Sequence, residues 1–205
     1  MNWCNRCKLD LNVNKTKELV LDFRKNKTAI TPLFIGNETV DIVESFKYLG
    51  VTFQCDLKWQ SHVSMLIKKA YQRFYFVRCL HKCHIENEII CLFYNCVISS
   101  IMMYAISCWF PCCTDQCKNE LFKVRNRACR IVGPLFADRL ANPLVVCKDR
   151  CIKIAEKIIQ DEDHPLNKYF IMLPHQRRYN MIYCRTARFR NTLIPTAIKL
   201  INNND

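Results

Sequence analysis

Residues 89–113 form a run of twenty-five without a single charged side chain. No other feature constrains the fold as strongly, because a helix that is apolar all round must be surrounded, by protein or by lipid. As one straight helix the run would reach about 37 Å, enough to span the hydrocarbon core of a bilayer. Asn95, Ser99, Ser100 and Ser107 interrupt its hydrophobicity, and amphipathic patterns lie on both sides. The expectation is a buried central helix of an α-helical bundle. A single membrane span through residues 89–110, flanked by basic residues, is the alternative.

The flanking segments supply partners for such a helix. Ser61 is placed as the N-cap of a long helix running to about Leu80, with Val63, Leu66, Ile67, Ala70, Tyr71, Phe74 and Val77 at helical spacing. Thr114 or Asp115 caps a further helix whose stripe is Leu121, Val124, Ala128, Ile131 and Val132, and Gly133-Pro134 ends it. Residues 144–160 predict another, with Cys151, Ile154, Ala155, Ile158 and Ile159 inward.

Upstream, residues 2–12 read as the tail of a helix, and residues 18–24, 30–35, 39–43 and 46–53 as short strands. Gly36-Asn37 is a hairpin turn candidate, and Gly50 marks a turn or close backbone approach. The fold class is therefore α+β: a small antiparallel sheet at the N-terminus followed by a mainly α-helical bundle. The expected divisions are residues 1–57, 58–160 and a basic, partly helical tail at 161–205.

Lys and Arg number 31 against 18 Asp and Glu, a net charge of +13. Such a surplus repels itself, so a polyanionic partner is expected, nucleic acid before an anionic membrane. The charges are also segregated. Residues 58–85 contain no acid, which places Lys68, Lys69 and Arg73 on an uncompensated polar face. Arg125, Arg127 and Arg130 crowd the next amphipathic segment. From His175 to Leu200 there is again no acid, and Arg177, Arg178, Arg185, Arg188 and Arg190 alternate with Tyr179, Tyr183 and Phe189. Arginine interleaved with aromatics is the composition that holds phosphates and stacks on bases.

Fifteen cysteines do not predict a disulfide framework, since Met1-Asn2-Trp3-Cys4-Asn5-Arg6 starts no signal peptide and many cysteines fall on helical apolar faces. Reduced thiols and an intracellular location, nucleus or cytoplasm, are expected. Three glycines build no phosphate loop, and no carboxylate pair suggests a two-metal site. Neither Cys4-x2-Cys7, the group Cys79, His81, Cys83 and His84, nor the group Cys112, Cys113 and Cys117 has the spacing of a zinc site. No catalytic residue, metal, cofactor or small-molecule substrate is assigned.

Residues 9–23 followed by residues 43–53, with Phe46-Lys47-Tyr48-Leu49-Gly50 at their centre, resemble motif D and motif E (the primer grip) in reverse transcriptases of non-LTR, LINE-type retrotransposons. Lys68-Lys69-Ala70-x-x-Arg73-x-Tyr75-Phe76 and Arg127-Ala128-x-Arg130-Ile131-Val132-Gly133 resemble that family's thumb helices. Arg177-Arg178-Tyr179, Arg188-Phe189-Arg190-Asn191 and Pro195-x-Ala197-x-x-Leu200 are similar to its tail. The resemblance implies a palm remnant at 1–57 and a thumb-like bundle after it. Lys15 would match the motif D lysine near nucleotide phosphates, and the partner would be an RNA–DNA hybrid or structured RNA. Fingers and most of the palm would lie upstream of Met1 with the Asp-Asp pair that binds metal. The expectation is a remnant without polymerase activity of its own, magnesium being expected only for a complete polymerase.

A second resemblance covers the helical pair at residues 68–113. It is similar to the N-terminal region of an AlkB-type tRNA-modifying dioxygenase and methyltransferase. That likeness would imply oxoglutarate- and iron-dependent chemistry, but the His-x-Asp…His iron triad does not occur in this sequence.

Overall fold

The computed structural model describes residues 4, 6–9, 11–26 and 30–203, which fall into two compact units, Met1–Ser61 and His62–Asp205. The α+β class holds: paired short strands come first and helices follow.

Among the described residues of the first unit the strands form three two-stranded ladders instead of one sheet. Strand β1 (Lys17–Glu18) runs parallel to β4 (Asp41–Ile42), with the Lys17 ammonium 2.6 Å from the Asp41 carboxylate. Strands β2 (Phe34–Ile35) and β3 (Glu38–Thr39) form the hairpin expected around Gly36-Asn37, with Gly36 at φ 62°. The third ladder, β5 (Ser45–Tyr48) against β6 (Val51–Gln54), pairs Phe46 with Phe53 and Lys47 with Thr52. Its two-residue loop places both Leu49 (φ 45°) and Gly50 (φ 86°) in the left-handed region. A two-residue loop with both residues left-handed matches the right-handed twist of the strands it joins.

The strand expected over residues 18–24 shortens to Lys17–Glu18, and that over 30–35 to Phe34–Ile35. The run at 39–43 divides around the buried Val40, whose N–H donates to the Leu33 carbonyl at 2.8 Å. Alternating side chains report which face is apolar, but a ladder also needs a neighbour in register. Of the helix tail read at 2–12, Cys4 and Arg6 are helical, and residues 2, 3, 5 and 10 lie outside the described residues.

Helix α1 (Gln60–Lys82) buries Val63, Leu66, Ala70, Phe74 and Val77 together with His62. It starts two residues earlier than a Ser61 cap would place it, so Ser61 sits in the first turn. The Ser61 N–H donates to Gln54 Oε1 at 3.0 Å. A glutamine brought from β6 thus takes the role that sequence assigns to Ser61 itself.

The uncharged run is not one straight helix. Helix α2 (Asn87–Phe93) passes into a π-helical stretch, Tyr94–Ser99, then α3 (Ser100–Met102), and breaks before α4 (Ile106–Trp109) and the 3-10 turn Phe110–Cys112. Ala105 is left-handed at φ 47°, and the two halves meet at a 45° bend. Ile90, Tyr94, Ile98, Met102, Ile106 and Trp109 are fully enclosed by protein. The carbonyls at the break take side-chain donors: the Arg150 guanidinium, far along the chain, bonds the Met103 carbonyl, and Trp109 Nε1 donates to the Tyr104 carbonyl at 2.9 Å. Among the described residues no single helix is long and apolar enough to cross a membrane. The bent pair Asn87–Met102 and Ile106–Cys112 reaches that length and composition together.

Helix α5 (Asp115–Val132) begins where Thr114 Oγ1 accepts the Cys117 N–H at 3.3 Å. It ends at Gly133, whose φ 83° and ψ 169° belong to a region open almost only to glycine. Helix α6 (Pro143–Gln160) is capped by Asn142, whose Oδ1 accepts the Leu144 N–H at 3.0 Å. The tail folds back as α7 (Ala187–Arg190) and α8 (Leu193–Asn202). Ala197 and Ile198 of α8 close a second core with Ala155, Ile158 and Phe170.

Candidate nucleic-acid interface

In the first unit, Phe46, Lys47 and Tyr48 occupy β5 and all are exposed, as are Leu49 (72% exposed) and Gly50 at the hairpin tip. Successive residues of a strand point to opposite faces, so Phe46 and Tyr48 share one and Lys47 takes the other. Lys15 ends the 3-10 turn Val13–Lys15, exposed, its N–H donating to Asn12 Oδ1 at 3.1 Å.

In the helical unit, Lys68 and Lys69 stand exposed on α1 and Arg73 is half-buried. Lys69 and Arg73 are four residues apart and therefore neighbours on the helix surface. Helix α5 adds Arg127, whose guanidinium lies 5.8 Å over the Tyr71 ring and 5.4 Å over the Phe74 ring, both on α1. Cation–π packing fixes that charge beside α1 without neutralising it. Arg130 is exposed, whereas Lys123 is paired with Glu120.

Arg125 departs from the sequence expectation. Its Nη2 donates to the Ala137 carbonyl at 2.9 Å and its Nε to the Leu140 carbonyl at 3.4 Å. It clamps the loop after α5, a loop that Asn95 holds from the other side by donating to the Arg139 carbonyl (2.8 Å) and accepting the Ala141 N–H (3.0 Å). Two of its five N–H donors are thereby spent on the chain's own carbonyls.

His62 lies beneath this basic face, buried and edge-on to Trp109 with ring centroids 5.2 Å apart. Burial first, and the Lys69 charge second, hold it down at about 4 instead of 6.5. The folded chain keeps this imidazole neutral while the unfolded chain protonates it near 6.5. Its contribution to stability is thus intact above pH 6.5 and is lost as pH falls toward 4, by about 3 kcal/mol in full. Urea titrations at several pH values test this: His62→Phe should flatten the decline between pH 6.5 and 4 relative to the unaltered chain.

The tail arginines divide. Arg178 and Arg190 line a cleft of about 1480 Å3 bounded by α5, α6, the tail segment and α8. Arg177, Arg185 and Arg188 are exposed outside that lining. The cleft also takes Lys118, Lys148 and Lys199 as cations, Asp115 as its acid, and the rings of Phe110, Phe122, Tyr179 and Tyr183. Lys148 was not singled out from sequence. Its only signal is its place directly after the inward Cys147 on α6.

Three of the thiols are held protonated. Burial pushes the Cys91 and Cys112 thiols up and Cys113 up to about 12, so these stay protonated near neutrality. Cys112 is used structurally, its Sγ donating to the Asn191 carbonyl at 3.2 Å. Among the described residues no group of three or more His, Cys, Asp or Glu side chains is placed to hold a metal ion.

The family described as "Alkylated DNA repair protein alkB homolog 8, N-terminal" matches residues 59–100, the stretch that forms α1, α2 and the π-helical segment. The match covers less than half of the chain. It supports the second, AlkB-type resemblance, and the comparisons lend no support to the reverse-transcriptase one. No curated protein and no solved structure matches the chain.

Proposed function

We propose that this chain is a helical nucleic-acid-binding module similar to the N-terminal segment of an AlkB-type tRNA-modifying protein, without a catalytic step of its own. One observation carries the reading. The matched stretch is also the one whose polar face has no acid over residues 58–85 and holds Lys68 and Lys69 exposed to solvent. Phosphates would be held by Lys68, Lys69, Arg73, Arg127 and Arg130, and a partner enzyme would supply the chemistry. A second reading, the thumb and primer grip of a retroelement, rests on the resemblance of residues 9–23 and 43–53 alone.

A salt titration of binding to tRNA and to an RNA–DNA hybrid tests both. Neutralising about six phosphates makes affinity fall roughly 10³-fold between about 50 and 200 mM salt. Lys68→Gln with Lys69→Gln should reduce the slope of log affinity against log salt by about 2. Preference for tRNA supports the first reading and preference for the hybrid the second. Binding that is absent or insensitive to salt overturns both.

A further inference from the structure

The cleft beside α6 has the chemistry of a strand-binding track. Its volume of about 1480 Å3 exceeds the roughly 300–1,000 Å3 of small-molecule pockets. Five cations line it against one acid, Asp115, which already lies 3.9 Å from Lys118. Lys118 belongs to the first turns of the eighteen-residue helix α5, so the unpaired N–H groups of that helix add to the positive field.

The cleft walls are tied in place. Asn202 exchanges two hydrogen bonds with the Tyr179 backbone, at 2.8 and 2.9 Å, and Cys112 holds Asn191. Beside these fixed walls Tyr183 is 87% exposed. A large ring left in water at the edge of a basic cleft is a stacking platform waiting for a flat partner.

We propose that this cleft holds a single-stranded stretch of nucleic acid, its phosphates on Lys118, Lys148, Arg178, Arg190 and Lys199 and a base stacked on Tyr183. The proposal rests on the nucleic-acid reading above and narrows it to a strand form and a place. A duplex keeps its bases stacked on one another and offers no free face to Tyr183, whereas a single strand does. An acidic peptide would satisfy the cations but would leave the ring unused.

The test is fluorescence anisotropy on the full chain with single-stranded RNA and DNA of about 12 nucleotides and with the hybrid duplex of the same sequence. Tyr183→Ala, at an exposed position, should weaken single-strand binding about tenfold and leave the duplex unchanged. Lys148→Gln with Arg190→Gln should lower the single-strand salt slope by about 1.4. Tighter binding of RNA than DNA would show that the 2′-hydroxyl is read, and equal binding that strand form alone is; either supports the cleft. Unchanged single-strand affinity in both variants overturns the cleft while leaving the nucleic-acid reading intact. Displacement of the strand by polyglutamate at lower concentration than by unlabelled strand assigns the cleft to acidic peptide instead. Absence of binding to every nucleic acid by the unaltered chain overturns the cleft and the broader reading together.

Discussion

Trp109→Ala is expected to destabilise the helical unit by about 4 kcal/mol and Trp109→Phe by about 2. Trp109 is fully buried, and its ring packs edge-on to His62 and Phe110. Truncation to alanine removes the largest enclosed side chain and leaves a cavity. Phenylalanine fills most of that space but carries no N–H. The indole N–H donates to the Tyr104 carbonyl at 2.9 Å, at the break in the uncharged run, and phenylalanine cannot make that bond. Losing that hydrogen bond costs about 1 kcal/mol and the smaller ring about as much again, which sets the phenylalanine figure. Urea denaturation followed by far-ultraviolet circular dichroism reads both. Two equal losses would mean that the indole hydrogen bond contributes nothing, and that the bend is held from elsewhere.

The second large effect separates structure from binding. Arg125→Ala is expected to cost about 2–3 kcal/mol of stability, because two carbonyls lose a charged donor at once. Arg125→Lys recovers little, since an ammonium cannot reproduce a planar fork. Where both variants remain folded, their salt-dependent affinity for nucleic acid should match that of the unaltered chain. Lys68→Gln should do the opposite, with stability within about 0.5 kcal/mol and weaker binding. A loss of affinity in folded Arg125→Ala as large as in Lys68→Gln would return Arg125 to the interface.

These two residues mark where sequence reading stops. Arg125, Arg127 and Arg130 look equivalent along α5, spaced around a helix and without nearby acids to claim them. They differ because the chain returns past Gly133 on one side, bringing the Ala137 and Leu140 carbonyls to Arg125, while α1 packs on another and brings the Tyr71 and Phe74 rings to Arg127. The tail is similar. Its arginines and aromatics form one composition, yet α8 packing on α6 turns Arg178 and Arg190 into the cleft and leaves Arg177 and Arg185 outside.

Local periodicity and local chemistry were enough to place α1, α5 and α6 and their buried stripes, the Thr114 cap, the Gly133 stop and the Gly36-Asn37 and Gly50 turns, because each depends on residues within a few positions of one another. Tertiary structure alone decided that the uncharged run bends by 45°, that three ladders replace one sheet, and that a basic cleft exists. Each of these depends on groups far apart in the chain, such as Arg150 on Met103 or Lys148 and Arg190 lining one cavity. Backbone groups freed in one place must be satisfied by whatever the fold brings to them, and no local pattern records that partner.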